Sequence, residues 1–232
     1  MGGFSPLGRV LASLAVFAVF SAHQLPSQVP KGGDSGAPDV LSVHEMAQRV
    51  DRHYNHLHSL KAAFTESYAG MGVDRNEGGT LLLEKPGRMR WDYSSPHALF
   101  LLDGKYAWYY KDGNPQVQRI EAKKLNDLRT PLRYLLGHAQ LEKEMNRLTL
   151  SAAPNGEYTL TGEPKGQDSG VSRLKLTVTR EGSITGIEIE ETDGAVTRFT
   201  FADEQANVPI ATKEFQFIPP AGVPVVDSPP PV

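Results

Sequence analysis

Apolar and polar side chains alternate with a period of two through most of this sequence. The plainest case is residues 89–93, where Met89, Trp91 and Tyr93 alternate with Arg90 and Asp92. Successive side chains of a β-strand point to opposite faces, so this spacing places the first three on one face and the two charged residues on the other. The chain is therefore predicted to fold mainly as strands with one buried and one solvent-facing side.

Turn-forming residues separate the alternating segments. Asp103-Gly104, Asn155-Gly156 and Asp193-Gly194 are typical of tight turns between neighbouring strands. Sequential strands joined by short turns indicate an antiparallel meander. We predict strands at residues 61–68, 80–85, 89–93, 98–102, 106–110, 116–121, 158–162, 174–179, 184–191, 196–201 and 213–217, with another that begins near Leu148.

Two helices are expected to accompany the sheet. The first follows Ser42, which has Glu45 at capping-box spacing and precedes a three-to-four-residue apolar repeat. The second lies at residues 130–137, where a capping Thr and a Pro in the first helical position precede an apolar run that ends at Gly137. A weaker helical stretch, residues 140–147, follows it.

The two ends of the chain differ from its middle. Residues 10–20 are apolar but too short to span a bilayer as a helix, and small residues follow at Ser21 and Ala22. We therefore expect residues 1–22 to be a secretory signal peptide. Residues 23–40, rich in Pro, Gly and Ser, are predicted to be a disordered linker, residues 41–227 the folded domain, and residues 228–232 a Pro-rich tail.

Composition argues against several functions. The chain has no cysteine for lipid attachment, and its formal net charge of −3 does not favour nucleic acid. His53, His56 and His58 are close in sequence, but no carboxylate or thiol pattern nearby completes a zinc site. No Gly-x-Ser-x-Gly motif supports a hydrolase triad. The sequence therefore predicts no metal site, no cofactor site and no enzymatic activity.

Several longer motifs occur in a specific order. They are Ser-Leu-Lys-Ala-Ala-Phe at 59–64, Gly-Thr-Leu-Leu-Leu-Glu-Lys-Pro at 79–86, Arg-Trp-Asp-Tyr at 90–93, Leu-Asp-Gly-Lys at 102–105, the Thr130-Pro131 helix, and Phe-Gln-Phe-Ile-Pro-Pro-Ala-Gly-Val at 215–223. In this order and spacing the chain resembles the periplasmic outer-membrane lipoprotein carrier (LolA) family. The chain departs from the family pattern in three ways. The segment before the first helix is longer, the chain ends in a Pro-rich tail, and Lys85 stands where arginine is common.

The resemblance implies an unclosed antiparallel β-barrel, or half-barrel, covered by a helical lid and enclosing an apolar cavity. It implies a monomeric periplasmic carrier whose cargo is acylated lipoproteins. The partners would be an inner-membrane ABC-type lipoprotein release complex and, if present, an outer-membrane lipoprotein receptor. The alternative is a periplasmic lipid-binding sensor or adaptor on the same half-barrel, although no extra partner-binding domain fits within the chain. A receptor would need the absent lipid-attachment cysteine.

The acyl-binding residues expected from this resemblance lie on the sheet and the lid. The sheet residues are Leu81, Leu83, Met89, Trp91, Tyr93, Phe100 and Trp108, and the lid residues are Tyr54, Leu57, Leu132, Leu135 and Leu136. Apolar alternation alone is also what an ordinary core produces, so core and cavity both remain open. Lys85 is either an exposed lysine at a strand end or a donor to carbonyls of the lid helix, which would hold the empty cavity shut.

Overall fold

The computed structural model describes residues 41–123, 140–165 and 170–227. The predicted signal peptide, linker, Pro-rich tail and 130–137 helix lie outside the described residues. The same is true of three predicted lid residues, which are Leu132, Leu135 and Leu136.

The described residues form one open sheet of twelve strands in the order β12-β6-β5-β4-β3-β2-β1-β11-β10-β9-β8-β7. The strands are β1 (Ser59–Gly70), β2 (Val73–Glu84), β3 (Arg88–Ser94), β4 (His97–Asp103), β5 (Tyr106–Lys111), β6 (Val117–Glu121), β7 (Met145–Ala152), β8 (Tyr158–Pro164), β9 (Val171–Val178), β10 (Ile184–Glu191), β11 (Val196–Ala206) and β12 (Val225–Asp227). Neighbouring strands are antiparallel, except that β12 runs parallel to β6. The predicted mainly β, open architecture is confirmed.

The helix α1 (Val43–His56) precedes the sheet as predicted. Its capping box is complete: the Ser42 hydroxyl accepts from the Glu45 backbone N–H at 3.1 Å, and the Ser42 N–H donates to the Glu45 carboxylate at 2.9 Å. The face with Met46, Val50 and Tyr54 is buried against the sheet. Capping by both residues satisfies backbone donors that a helix start leaves free.

Two local predictions are wrong. Residues 213–217 are not a strand, because Thr212–Phe215 forms a 3-10 turn that places Phe215 against the outside of the sheet. The helical stretch 140–147 is shorter than predicted: α2 (Leu141–Glu144) ends where Met145 begins β7 by pairing with Pro164 of β8. In both places tertiary packing overrides a weak local pattern.

Apolar side chains pack on both faces of the sheet. The inner cluster consists of the buried apolar side chains of α1, Leu41, Leu57, Leu141 of α2 and the inward positions of β1–β11. The outer cluster consists of Leu82, Leu99, Leu101 and Phe215, with Trp108, Ile210 and Phe217 against them. The chain that follows β11 therefore covers the outer face of β2–β5, while α1 covers the inner face.

Candidate functional site

Most of the predicted sheet residues meet on the inner face. Leu81, Leu83, Met89 and Trp91 are at most 1% exposed and belong to the inner cluster, and the partly buried Tyr93 and Phe100 pack against it. Strand pairing brings them together, since Trp91 lies opposite Leu81 on one side and Phe100 on the other. Residues directly opposite on neighbouring strands share a face, so the register builds one continuous apolar surface.

Trp108 does not belong to this surface, and its predicted inner position is wrong. Phe100 pairs with Tyr109, so Tyr109 and Ala107 hold the inward positions of β5, and Trp108 joins the outer cluster. There its indole Nε1 donates to the Asp103 carboxylate at 2.7 Å. Because β5 carries aromatic residues at inward and outward positions alike, the alternation did not reveal its orientation.

Of the predicted lid residues that are described, both Tyr54 and Leu57 are buried in the inner cluster. The Tyr54 hydroxyl accepts a hydrogen bond from the Ile184 backbone N–H at 2.9 Å. Burial, together with the nearby Glu204 carboxylate, raises the pKa of Tyr54, so the phenol stays protonated. Tyr54 thus fastens α1 to the start of β10.

Further contacts hold α1 against the β9–β10 turn. The Arg49 guanidinium donates to the Arg180 carbonyl at 2.8 Å. Gly182, at φ +98°, lies so close to the helix that a Cβ there would be 2.5 Å from the Arg49 carbonyl carbon. A larger residue would therefore meet both backbone strain and a clash with the helix.

A partly buried carboxylate reinforces the same contact. Glu204 of β11 is paired with His53 at 2.9 Å and accepts from the Ser183 hydroxyl at 2.7 Å. Burial would raise the pKa of Glu204, but these hydrogen bonds outweigh it and lower the pKa. The helix is consequently tied by side chains to β9–β11 along its second half.

Lys85, directly after β2, joins α1 to the part of the sheet on the other side of β1 from β9–β11. Its Nζ donates to the backbone carbonyl of Tyr54 in the last turn of the helix. Burial lowers the pKa of the Lys85 ammonium. The last carbonyls of a helix lack partners within the helix, so a cation there satisfies an acceptor and complements the helix dipole.

The apolar side chains of the inner face are packed together rather than exposed to solvent. Depressions among the described residues include one of about 590 Å³ lined by polar groups such as Thr65, Asn76 and Arg198, and one of about 390 Å³ beside α1 that includes Leu57. The predicted acyl-binding residues of the sheet line neither. They belong instead to one buried apolar cluster that also includes side chains of α1, so we expect ligand binding to require this cluster to open.

Comparison with known proteins decides the family. A profile described as "Outer membrane lipoprotein carrier protein LolA" matches residues 55–218. The chain belongs to the LolA family. Outer-membrane lipoprotein carrier proteins of Nitrosospira multiformis and Methylococcus capsulatus are each 30% identical, over 66% and 73% of this chain and 74% and 81% of their own lengths. An uncharacterized conserved protein of Thermus thermophilus has the same fold, with a TM-score of 0.51 and 12% identity over 80% of this chain and 98% of its own.

The LolA match includes the whole apolar inner face of the sheet and Lys85 but begins at residue 55, near the end of α1.

The hydrogen-bond partner of Tyr93 was not predicted from the sequence, although its inward position in β1 could have indicated it. That partner is Glu66, 9% exposed, whose carboxylate accepts from the Tyr93 hydroxyl at 2.7 Å. Burial and this carboxylate raise the pKa of Tyr93, so the hydroxyl remains a donor.

Charged residues continue the inner face beyond Tyr93. Arg75 lies 3.6 Å from Glu66 and 3.1 Å from Glu77, both on inward positions of β1 and β2. The inner face of this LolA-family chain thus changes along its strands from apolar, near Lys85, to polar, near Arg75. We call the group of Glu66, Arg75, Glu77 and Tyr93 the polar end.

Two kinds of feature are absent from residues 41–123, 140–165 and 170–227. Within these ranges no helix is long and apolar enough to cross a membrane. In the same ranges no three His, Cys, Asp or Glu side chains converge as a metal site. His53, considered above as a metal ligand, is instead paired with Glu204.

Proposed function

We propose that this protein is a periplasmic carrier that binds the acyl chains of lipoproteins released from the inner membrane and delivers them to the outer membrane. The observation that carries this proposal is a continuous apolar face on an open sheet, covered by a helix that Lys85 ties to β2. The names of its relatives in the LolA family agree with it.

For cargo to bind, the free energy gained on binding must exceed the free energy that favours the closed, empty protein. An acyl chain of about sixteen methylenes gains on the order of 10 kcal/mol when it leaves water, at about 0.8 kcal/mol per methylene. In the structure without cargo, Trp91, Leu81 and Met89 are already at most 1% exposed and belong to one apolar cluster with side chains of α1. Cargo therefore replaces contacts that exist without it, and the net gain is smaller than the transfer energy. A smaller net gain is what allows release.

The distribution of polar contacts suggests how the protein opens. Contacts from Arg49, His53 and the Tyr54 hydroxyl attach α1 to β9–β11, whereas the Tyr54 carbonyl bonds to Lys85 beyond β2. We propose that α1 moves with β9–β11 and that opening breaks the Lys85 bond. Lys85 would then act as a lid latch of the empty form.

The proposed partners follow from the carrier role. An inner-membrane ABC-type lipoprotein release complex would supply the cargo, and an outer-membrane lipoprotein receptor, where the cell has one, would accept it. Binding and hand-off need no covalent step, so we propose no enzymatic activity.

The test uses the mature protein, purified from the periplasm and examined by native mass spectrometry. We expect a bound triacylated lipoprotein. In parallel, an environment-sensitive apolar dye should bind and be displaced by acylated lipoprotein, but not by the same lipoprotein after deacylation. Equal displacement by the two forms would mean that the inner cluster is only a core, and a cytoplasmic protein that still carried Met1 would contradict export.

A further inference from the structure

Trp91 holds a polar atom that lacks a partner in the middle of an apolar face. The residue is 1% exposed, and its indole Nε1 has no hydrogen-bond acceptor among the described residues. A buried donor without an acceptor destabilises the folded protein, because the hydrogen bond that it made to water is not replaced. A phenylalanine would fill much of the same space without this cost, so the N–H group calls for an explanation.

The ring cannot readily turn its N–H toward another acceptor. Phe64 packs edge-on against it with ring centroids 4.6 Å apart, and the rings of Phe199 and Phe201 lie at 5.4 and 6.1 Å. These contacts, with the opposing Leu81 and Phe100, confine the indole from several sides. A donor fixed in this way is preorganised for an acceptor that arrives with a ligand.

The position of Trp91 indicates which acceptor that is. Along β3, Met89 lies two residues earlier among apolar side chains, and Tyr93 lies two residues later at the polar end. Two residues of a strand span about 7 Å, so the indole lies within a few ångströms of the change from apolar to polar surface. A ligand with hydrocarbon on one side and polar groups on the other would place its first polar atoms at this level.

We propose that Trp91 Nε1 donates a hydrogen bond to an acyl carbonyl of the cargo. This inference rests on the proposed carrier function and adds a polar recognition element to it. The hydrocarbon extends along Leu83 and Met89 toward Lys85, the ester or amide carbonyl lies at Trp91, and the remainder of the cargo meets the polar end. The protein thereby distinguishes acylated molecules from hydrocarbon alone and sets the depth of the chain whose carbonyl Trp91 binds.

The chain supplies a matched control. It has two tryptophans, and Trp108, on the opposite face, already donates its Nε1 proton to Asp103 at 2.7 Å. Trp91→Phe removes a donor without a partner, whereas Trp108→Phe removes a paired donor far from the inner face. Trp108→Phe controls for the loss of an indole elsewhere in the fold, and the comparison of two ligands with and without a carbonyl separates hydrogen bonding from the effect of a smaller ring at position 91.

The binding experiment uses the mature protein and two probes of equal chain length. The probes are a dipalmitoyl glycerol, which has ester carbonyls, and the matching dihexadecyl ether, which has none. Displacement of an apolar dye should show that the parent protein prefers the ester about fivefold, as expected for a net hydrogen bond of about 1 kcal/mol. Trp91→Phe should reduce ester affinity to the ether value and leave ether affinity unchanged. Trp108→Phe should preserve the preference.

A second measurement avoids mutation of Trp91. In protein labelled with ¹⁵N-tryptophan, the indole N–H signal missing from Trp108→Phe identifies Trp108 and thus Trp91. The Trp91 proton should move downfield when the ester probe binds and much less with the ether, while the Trp108 proton stays in place. Equal shifts with both probes, or an equal loss of affinity for both in Trp91→Phe, would overturn the inference while carrier function stood. Failure of the parent to bind either lipid would instead overturn the proposed function.

Discussion

Replacement of Lys85 by leucine tests whether the contact between β2 and α1 controls release. Leucine keeps part of the apolar bulk but removes the donor to the Tyr54 carbonyl. A charged donor contributes about 1.5–3 kcal/mol, and the lower end applies here because Lys85 is only partly buried. Since about 1.4 kcal/mol is a factor of ten in an equilibrium constant, the open population should rise about tenfold.

The consequence should be slower hand-off rather than weaker binding. Closure of the empty form competes with retention of cargo, so loss of the bond favours the loaded protein. Transfer of a labelled lipoprotein from the carrier to acceptor membranes should slow by up to about tenfold. The remaining contacts of α1, through Arg49 and Glu204, should keep the protein folded, and thermal unfolding will check this.

Two further variants sharpen the result. Lys85→Arg should keep or strengthen closure, because a guanidinium offers more donors in a fixed geometry. Lys61→Leu, on the exposed side of β1, is the matched control and should transfer cargo at the parental rate. If Lys85→Leu releases its cargo as fast as the parent, Lys85 is an ordinary strand-end lysine and the latch is refuted.

Three other substitutions probe the supports of the lid and the outer face. Asp51 of α1 accepts a hydrogen bond from the Leu141 backbone N–H at 3.2 Å, and burial raises its pKa to about 6 from 3.8. The folded protein therefore binds this proton more tightly than the unfolded chain, and stability falls as pH rises through that window. Asp51→Asn should add about 1 kcal/mol to the urea-unfolding free energy at pH 7.5, after allowance for solvent screening. The lowered pKa of Glu204 gives stability that is present above pH 4.5 and lost below it. Glu204→Gln should therefore cost about 1–2 kcal/mol at pH 7 and less at pH 4, and an equal cost at both would contradict the assignment. Phe215→Ala should lower the unfolding free energy by about 3 kcal/mol without changing dye affinity, whereas a changed affinity would mean that the two faces are coupled.

Much of the fold follows from local patterns. Ser42 and Glu45 mark the start of α1, and turn residues such as Asp103-Gly104 separate strands whose alternation is clear. These features depend on neighbours in sequence, through capping hydrogen bonds, turn geometry and the two-residue period of a strand. The same period places Met89 and Trp91 on one face without knowledge of the fold, whereas Leu81 and Leu83 join them only through the pairing of β2 with β3.

Other features could not be inferred in this way. Trp108 and Tyr109 are both aromatic, so the inward residue of β5 follows only from its pairing with Phe100. Phe215 and Phe217 have strand spacing, yet they belong to a turn and its continuation, because the outer cluster offers them an apolar surface. Hydrophobic residues two apart suit either arrangement, and the partner surface decides between them.

The closure of the site depends on contacts between residues distant in sequence. Tyr54 accepts from Ile184, 130 residues later, and from Lys85, 31 residues later. Alternation predicts which side chains share a face, but it carries no information about what lies above that face. Whether those side chains form a packed core or the wall of a closed site depends on where α1 lies, and long-range packing sets that position. The unpaired Nε1 of Trp91 emerges only at this level, because a missing partner is a property of the surrounding side chains and not of the residue or its neighbours in sequence.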